Sequence, residues 1–135
     1  MKLVSDPGFG EVDLSGSAEE LTCLAHAVAR GNGLLDATPV PGGEVLGGVA
    51  VRATSGPGVL VQWDAERQIL VIGGDSVGRA ALAEQLLAMA TAEDGGHLHI
   101  DYFPGHAYLA EGSLSLVVNS PHGGMPLERG GRVES

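Results

Sequence analysis

Only seven lysine and arginine residues stand against seventeen aspartate and glutamate residues in this 135-residue chain, a formal net charge of −10. A surface so poor in cations repels phosphate backbones and anionic lipid, and it attracts basic partners. Nucleic acid and membrane surfaces are thereby disfavoured as ligands, and a basic protein is favoured. Acidity also serves solubility alone, so charge by itself names no partner. Cysteine is nearly absent: a lone Cys23 forms no internal disulfide, which suits a reducing compartment. Its place within an apolar periodic stretch reads as a buried core thiol. Long apolar runs are missing too: stretches such as Ile69–Ile72 fall far short of a membrane span. The start, "MKLVSDPGFGEVD", has one lysine and then Asp6 and Pro7 instead of an apolar segment, so it does not read as a secretory signal. Cytoplasmic residence is the expectation.

Several chemistries lack their motifs. There is no G-x-S-x-G elbow, and Cys23 falls inside a helical stretch, away from any nucleophile-bearing turn. "VIGGDSVGRAALAEQ" joins a strand, glycines and a helix start, whose amides could hold an anion. It lacks both the Gly-Lys-Ser/Thr ending of a phosphate loop and the G-x-G-x-x-G pattern, so a helix cap is the simpler meaning. No cofactor and no catalysis are expected from these patterns.

The 44% of hydrophobic residues is ample for one folded unit at this length. A single α+β domain over residues 1–120 is expected, with "SPHGGMPLERGGRVES" making 121–135 a flexible tail. Val12 and Leu14 alternate with Glu11 and Asp13 in a first strand. Ser17-Ala-Glu-Glu20 is a capping box, followed at helical spacing by Leu21, Leu24, Ala25 and Val28, with Gly31 and Gly33 as stops; the spacing predicts a helix over 17–30. Residues 32–48, rich in Gly and Pro, read as a long loop with at most a brief extended piece. Strands follow at 49–54, 59–63 and 68–72 as an antiparallel meander. Asp75 or Ser76 caps a second helix over 77–92, ended by Asp94-Gly-Gly96, and strands at 97–103 and 113–118 complete the domain. The expected architecture is one antiparallel sheet of about six strands with both helices on one face. The order β-α-β-β occurs twice, which raises a duplication.

The stretch "HLHIDYFPGHAYL" at 97–109 concentrates the chemistry. In a strand, residues two apart share a face, so His97, His99 and Asp101 project together, with His106 just beyond the turn. Two imidazoles and a carboxylate are a transition-metal donor set, and a metal- or small-molecule-binding domain, even an enzyme, is the alternative reading of these four residues. Pro104-Gly105 forces a turn that presents Tyr102, His106 and Tyr108 together, rings with polar tips of the kind that anchor protein interfaces. Asp101, Tyr102, His106, Tyr108 and Glu111 are accordingly the candidate partner-binding residues, and packing alone is the competing role for Tyr102, Phe103 and Tyr108. Glu11, Asp13, Glu19 and Glu20 cluster at the first strand and helix start, where the helix dipole favours them or a basic partner meets them.

The run "HLHIDYFPGHAYLAEGSLSLVV", residues 97–118, resembles the closing segment of small actinobacterial proteins classed as the immunity protein 32 family of polymorphic toxin systems. Ala107 stands where proline would be expected after the histidine of such proteins. The resemblance implies an inhibitor of a cognate toxin, without catalysis, and carries no binding residues across. An acidic inhibitor would fit the substrate cleft of a basic toxin such as a nuclease by charge complementarity.

Overall fold

Ser17 opens the first helix in the manner its sequence requires: its hydroxyl accepts the Glu20 amide at 3.0 Å, and the Glu20 carboxylate accepts the Ser17 amide at 2.9 Å. In the computed structural model, which describes residues 1–6, 10–37, 47–64, 66–91 and 97–119, this helix is α1 (Ala18–Arg30) and a second is α2 (Ser76–Ala90). Eight strands accompany them: β1 (Lys2–Asp6), β2 (Glu11–Ser15), β3 (Asn32–Asp36), β4 (Gly48–Ala53), β5 (Val59–Asp64), β6 (Ile69–Gly74), β7 (His97–Ile100) and β8 (Ser115–Asn119). The expected tail at 121–135, most of the expected 32–48 loop and the Asp94–Gly96 stop lie outside the described residues.

The α+β class holds, but the single antiparallel sheet does not. There are two four-stranded sheets, ordered β1-β2-β8-β7 and β3-β4-β6-β5, and each is mixed. The central pairs β2–β8 and β4–β6 are parallel, while the four outer pairings are antiparallel. The expected meander fails because β5 lies on the far side of β6, so β4 pairs with β6 and never with β5. Strand β1 was unforeseen, and β3 is the brief extended piece allowed within the expected loop.

Each sheet takes its first hairpin from one half of the chain and its second from the other. The unit ββαββ occurs twice, as β1-β2-α1-β3-β4 and β5-β6-α2-β7-β8, and its two copies are interleaved. With β2 laid on β6 and no gap, Val12 meets Leu70, Leu14 meets Ile72, the cap Ser17 meets the cap Asp75, and Leu24, Ala25 and Val28 meet Leu82, Ala83 and Leu86. All the apolar residues so matched are buried in one continuous core, with α1 packed on α2.

Arg79 has no such match, since its counterpart is Leu21. Its guanidinium is buried and donates to three carbonyls, Gly74 at 2.9 Å, Val28 at 3.1 Å and Ala29 at 2.9 Å. Two of these belong to the last turn of α1, where unpaired carbonyls and the helix dipole favour a cation. Gly31, at φ 77°, closes that helix, and a Cβ there would lie 2.7 Å from the same guanidinium. Cys23, expected in the core, is exposed: the buried stripe of α1 runs through residues 21, 24, 25 and 28, and position 23 falls off it.

Candidate functional site

After β7 the chain does not turn straight into β8. Residues 101–114 form a strap that crosses to the other sheet, where Leu109 bridges Val59 in parallel. The Val59 amide donates to the Tyr108 carbonyl at 2.6 Å, and the amides of Ala110 and Leu114 donate to the carbonyls of Val59 and Val61 at 2.7 and 2.9 Å. Ser113 Oγ accepts the Val61 amide at 3.0 Å. The strap thus covers part of the outer edge of β5, satisfying groups a bare edge would expose. Gly58 is required at this crossing, because it has φ +77° and a Cβ would stand 2.5 Å from the Tyr108 carbonyl oxygen.

Within the strap the residues singled out from sequence take different parts. Pro104-Gly105 makes the turn, closed by the His106 amide donating to Phe103 O at 3.0 Å. His106 Nδ1 accepts the amides of Tyr108 and Leu109 at 3.1 and 3.0 Å, and its ring lies between Phe103 and Tyr108, with centroids 4.9 and 4.8 Å away. That arrangement stiffens the corner without a proline at Ala107. The Tyr108 hydroxyl donates to Gln85 Oε1 on α2, and burial pushes its phenol up to about 12. Tyr102 is half-buried, and its amide donates to Ser115 Oγ at 2.8 Å. Phe103 is 55% exposed at the tip, an outward aromatic that was not among the chosen contact residues. Glu111, near the far end, lines a cleft of about 520 Å³ with Arg52, Leu60, Gln62 and Val71 on the outer face of the second sheet.

Asp101, at the near end, belongs to the outer face of the first sheet. Alternation sends Val12, Leu14, Leu98 and Ile100 inward, so Glu11, Asp13, His97 and His99 face outward. Across that face Asp13 and His99 both flank Val117, and Asn119 Nδ2 donates to the Asp13 carboxylate and to Ser15 Oγ. His97 and His99 meet edge to face with centroids 5.0 Å apart. Donor atoms of Glu11, His99 and Asp101 all lie within 4.8 Å of one another. Of the four residues considered for a metal, His99 and Asp101 are brought together, His97 is a neighbour, and His106 turns its Nδ1 to the backbone. Glu11 had been grouped with Glu19 and Glu20, yet Glu20 serves the helix cap instead. The outward alternation of the first strand was the signal that could have separated them. At α2, Asp75 answers the anion-loop alternative: its own carboxylate accepts the Gly78 amide at 2.8 Å and the Gly58 amide at 2.9 Å.

Fold and site together describe an interleaved α+β protein with an acidic sheet face and an aromatic strap joining its two sheets. Residues 69–121 match the model of a family described as Immunity protein 32, a stretch that takes in β6, α2, β7, the strap and β8. The resemblance drawn on residues 97–118 is borne out and extends upstream. No curated protein and no solved structure matches the chain. Among the described residues, no helix is long and apolar enough to cross a membrane.

Proposed function

We propose that this protein binds and neutralises a cognate toxin, with the strap as its recognition element and without catalysis of its own. The family match over residues 69–121 carries this reading and supports an immunity function in general terms. The toxin's character is inferred from chemistry. A net charge of −10 suits a basic partner, a nuclease among them, in the reducing interior of the cell. On the strap, the rings of Phe103, His106 and Tyr108 form a preorganised aromatic corner, with half-buried Tyr102 one residue before it and the carboxylates of Asp101 and Glu111 flanking it in sequence. Anchors fixed before binding lose little side-chain freedom on association.

The test is co-expression with basic toxin domains encoded beside this gene. Restored growth, together with direct binding that weakens as salt rises, is the expected result. Tyr102→Ala is expected to weaken binding by about 2 kcal/mol, the scale of an interface hot spot. Failure to protect against any neighbouring toxin, with folded protein present at high level, would overturn the reading.

A further inference from the structure

We propose that Glu11, His99 and Asp101 form a binding site for a divalent first-row transition-metal ion on the outer face of the first sheet. The three come from separate places: Glu11 opens β2, His99 lies in β7, and Asp101 is the first residue of the strap. Strand β8 runs between the first two, so the site spans three strands of one face. Their donor atoms fall within 4.8 Å of each other. Around an ion with bonds of about 2.0–2.2 Å, ligand atoms sit roughly 3–4.4 Å apart, so small side-chain rotations close the set.

Three further observations favour a ligand role. The described ion pairs are Met1 with Glu20 and Arg67 with Asp64, so no described basic side chain neutralises Glu11 or Asp101. Two carboxylates held close without a cation repel each other, and a divalent ion reverses the sign of that interaction. At the equivalent register positions the second sheet holds Ile69, Leu34 and Asp36, so Glu11 and His99 stand where the other sheet has aliphatic side chains, and only the carboxylate of Asp101 has a counterpart. Lastly, the His97 ring packs against the edge or face of His99 and limits its orientation.

One imidazole nitrogen with two carboxylate oxygens suits zinc or manganese better than calcium, which takes oxygen ligands throughout. Three protein donors leave the remaining positions to solvent or to a side chain of a bound partner. Such an ion would tie β2 to the root of the strap, fixing the recognition corner to the opposite half of the fold. The site does not depend on the toxin-binding reading, and its failure would leave that reading intact.

The experiment uses the full chain without a histidine tag, freed of metal by chelator and titrated with zinc chloride by calorimetry. One saturable site per chain is expected, with a higher melting temperature at saturation. Glu11→Gln and His99→Ala should each weaken binding at least about tenfold, the scale on which metal sites respond to lost partners, while His106→Ala keeps it and His97→Ala weakens it less than His99→Ala does. Circular dichroism checks that each variant folds, and a histidine NMR spectrum of the unaltered chain locates the ion without mutation. Absence of saturable binding overturns the proposal. So does zinc held as tightly by Glu11→Gln as by the parent, or a zinc response centred on His97 or His106 instead of His99.

Discussion

The two sheets of this protein, each assembled from one hairpin of either copy of the unit, present different outer surfaces. In the first sheet the middle outward row reads Val4, Asp13, Val117, His99; in the second the equivalent row reads Gln62, Val71, Ala50, Leu34. Inward, both halves place Val, Leu or Ile at matching positions, because a shared core tolerates little change in volume. Outward, packing imposes less, and the two sheets differ, with a carboxylate and imidazole face on the first and a more apolar face with a cleft on the second. The duplicated unit supplies stability twice and surface chemistry once.

Interleaving makes the two cores one. Leu14→Ala and Ile72→Ala remove equivalent side chains, both almost fully buried, from the central strands of different sheets. Each is expected to cost about 2–5 kcal/mol. Because each sheet draws strands from both halves, thermal unfolding of either variant should remain a single calorimetric transition. Two resolved transitions would show that the halves are independent after all.

A second contrast sets Arg79 against its counterpart Leu21. Arg79→Met keeps the apolar stem but leaves three carbonyls without their cationic donor. Chemical denaturation should report a loss of about 2–3 kcal/mol, as for buried hydrogen bonds to a charged group. Leu21→Met, a nearly volume-conserving change, is expected to cost less than about 1.5 kcal/mol. Equal costs would mean that the guanidinium adds nothing beyond packing.

Much of this was legible locally and little of it globally. The capping box at Ser17 and Glu20, the apolar stripe of α1 and the alternation of β2 and β7 follow from 3.6- and 2-residue periods, which neighbours in sequence determine. Sheet membership follows from no such period. β2 finds its parallel partner in β8 near the far end of the described chain, and β4 passes over β5 to pair with β6. β3 was readable only as a brief extended piece because Gly33 and the glycines beyond it resemble a loop, although Leu35 inward and Leu34 outward already alternate. The site divides likewise. The shared face of His99 and Asp101 was readable from spacing, whereas the approach of Glu11 needed the long-range pairing through β8, and the engagement of His106 with two backbone amides needed the turn itself.

The two helix caps differ in chemistry, which acid can reveal. At α1 the Ser17 hydroxyl does not titrate in the accessible range, and the titratable member is its box partner Glu20, held low first by the Met1 ammonium and then by the Ser17 amide. At α2, by contrast, the Gly58 and Gly78 amides hold the carboxyl of the cap residue Asp75 itself below its ordinary value. A carboxyl depressed in the folded state adds stability above its unfolded pKa and loses it as pH falls through the folded one. The Asp75 contribution is therefore present at neutral pH and disappears on acidification below about 4, the ordinary aspartate range. Asp75→Asn, with a single acceptor oxygen for two amides, should lower stability at pH 7 and flatten its acid dependence. An unchanged acid limb would remove Asp75 from the account.

The gentlest comparison is between the strap's anchored tyrosine and an ordinary phenol. Burial against α2 raises the Tyr108 pKa to about 12, from an unperturbed value of about 10. Since the folded state disfavours the phenolate, its stabilising effect is complete below the unfolded pKa and fades as pH climbs through the folded one. Ultraviolet titration of the intact chain should show a late tyrosine step near 12 that Tyr108→Phe abolishes, with almost no change in stability at pH 7 beyond the loss of one hydrogen bond to Gln85. A Tyr108 that ionises like a free phenol would mean that the strap opens readily in solution, and an open strap would lose its advantage as a preformed anchor.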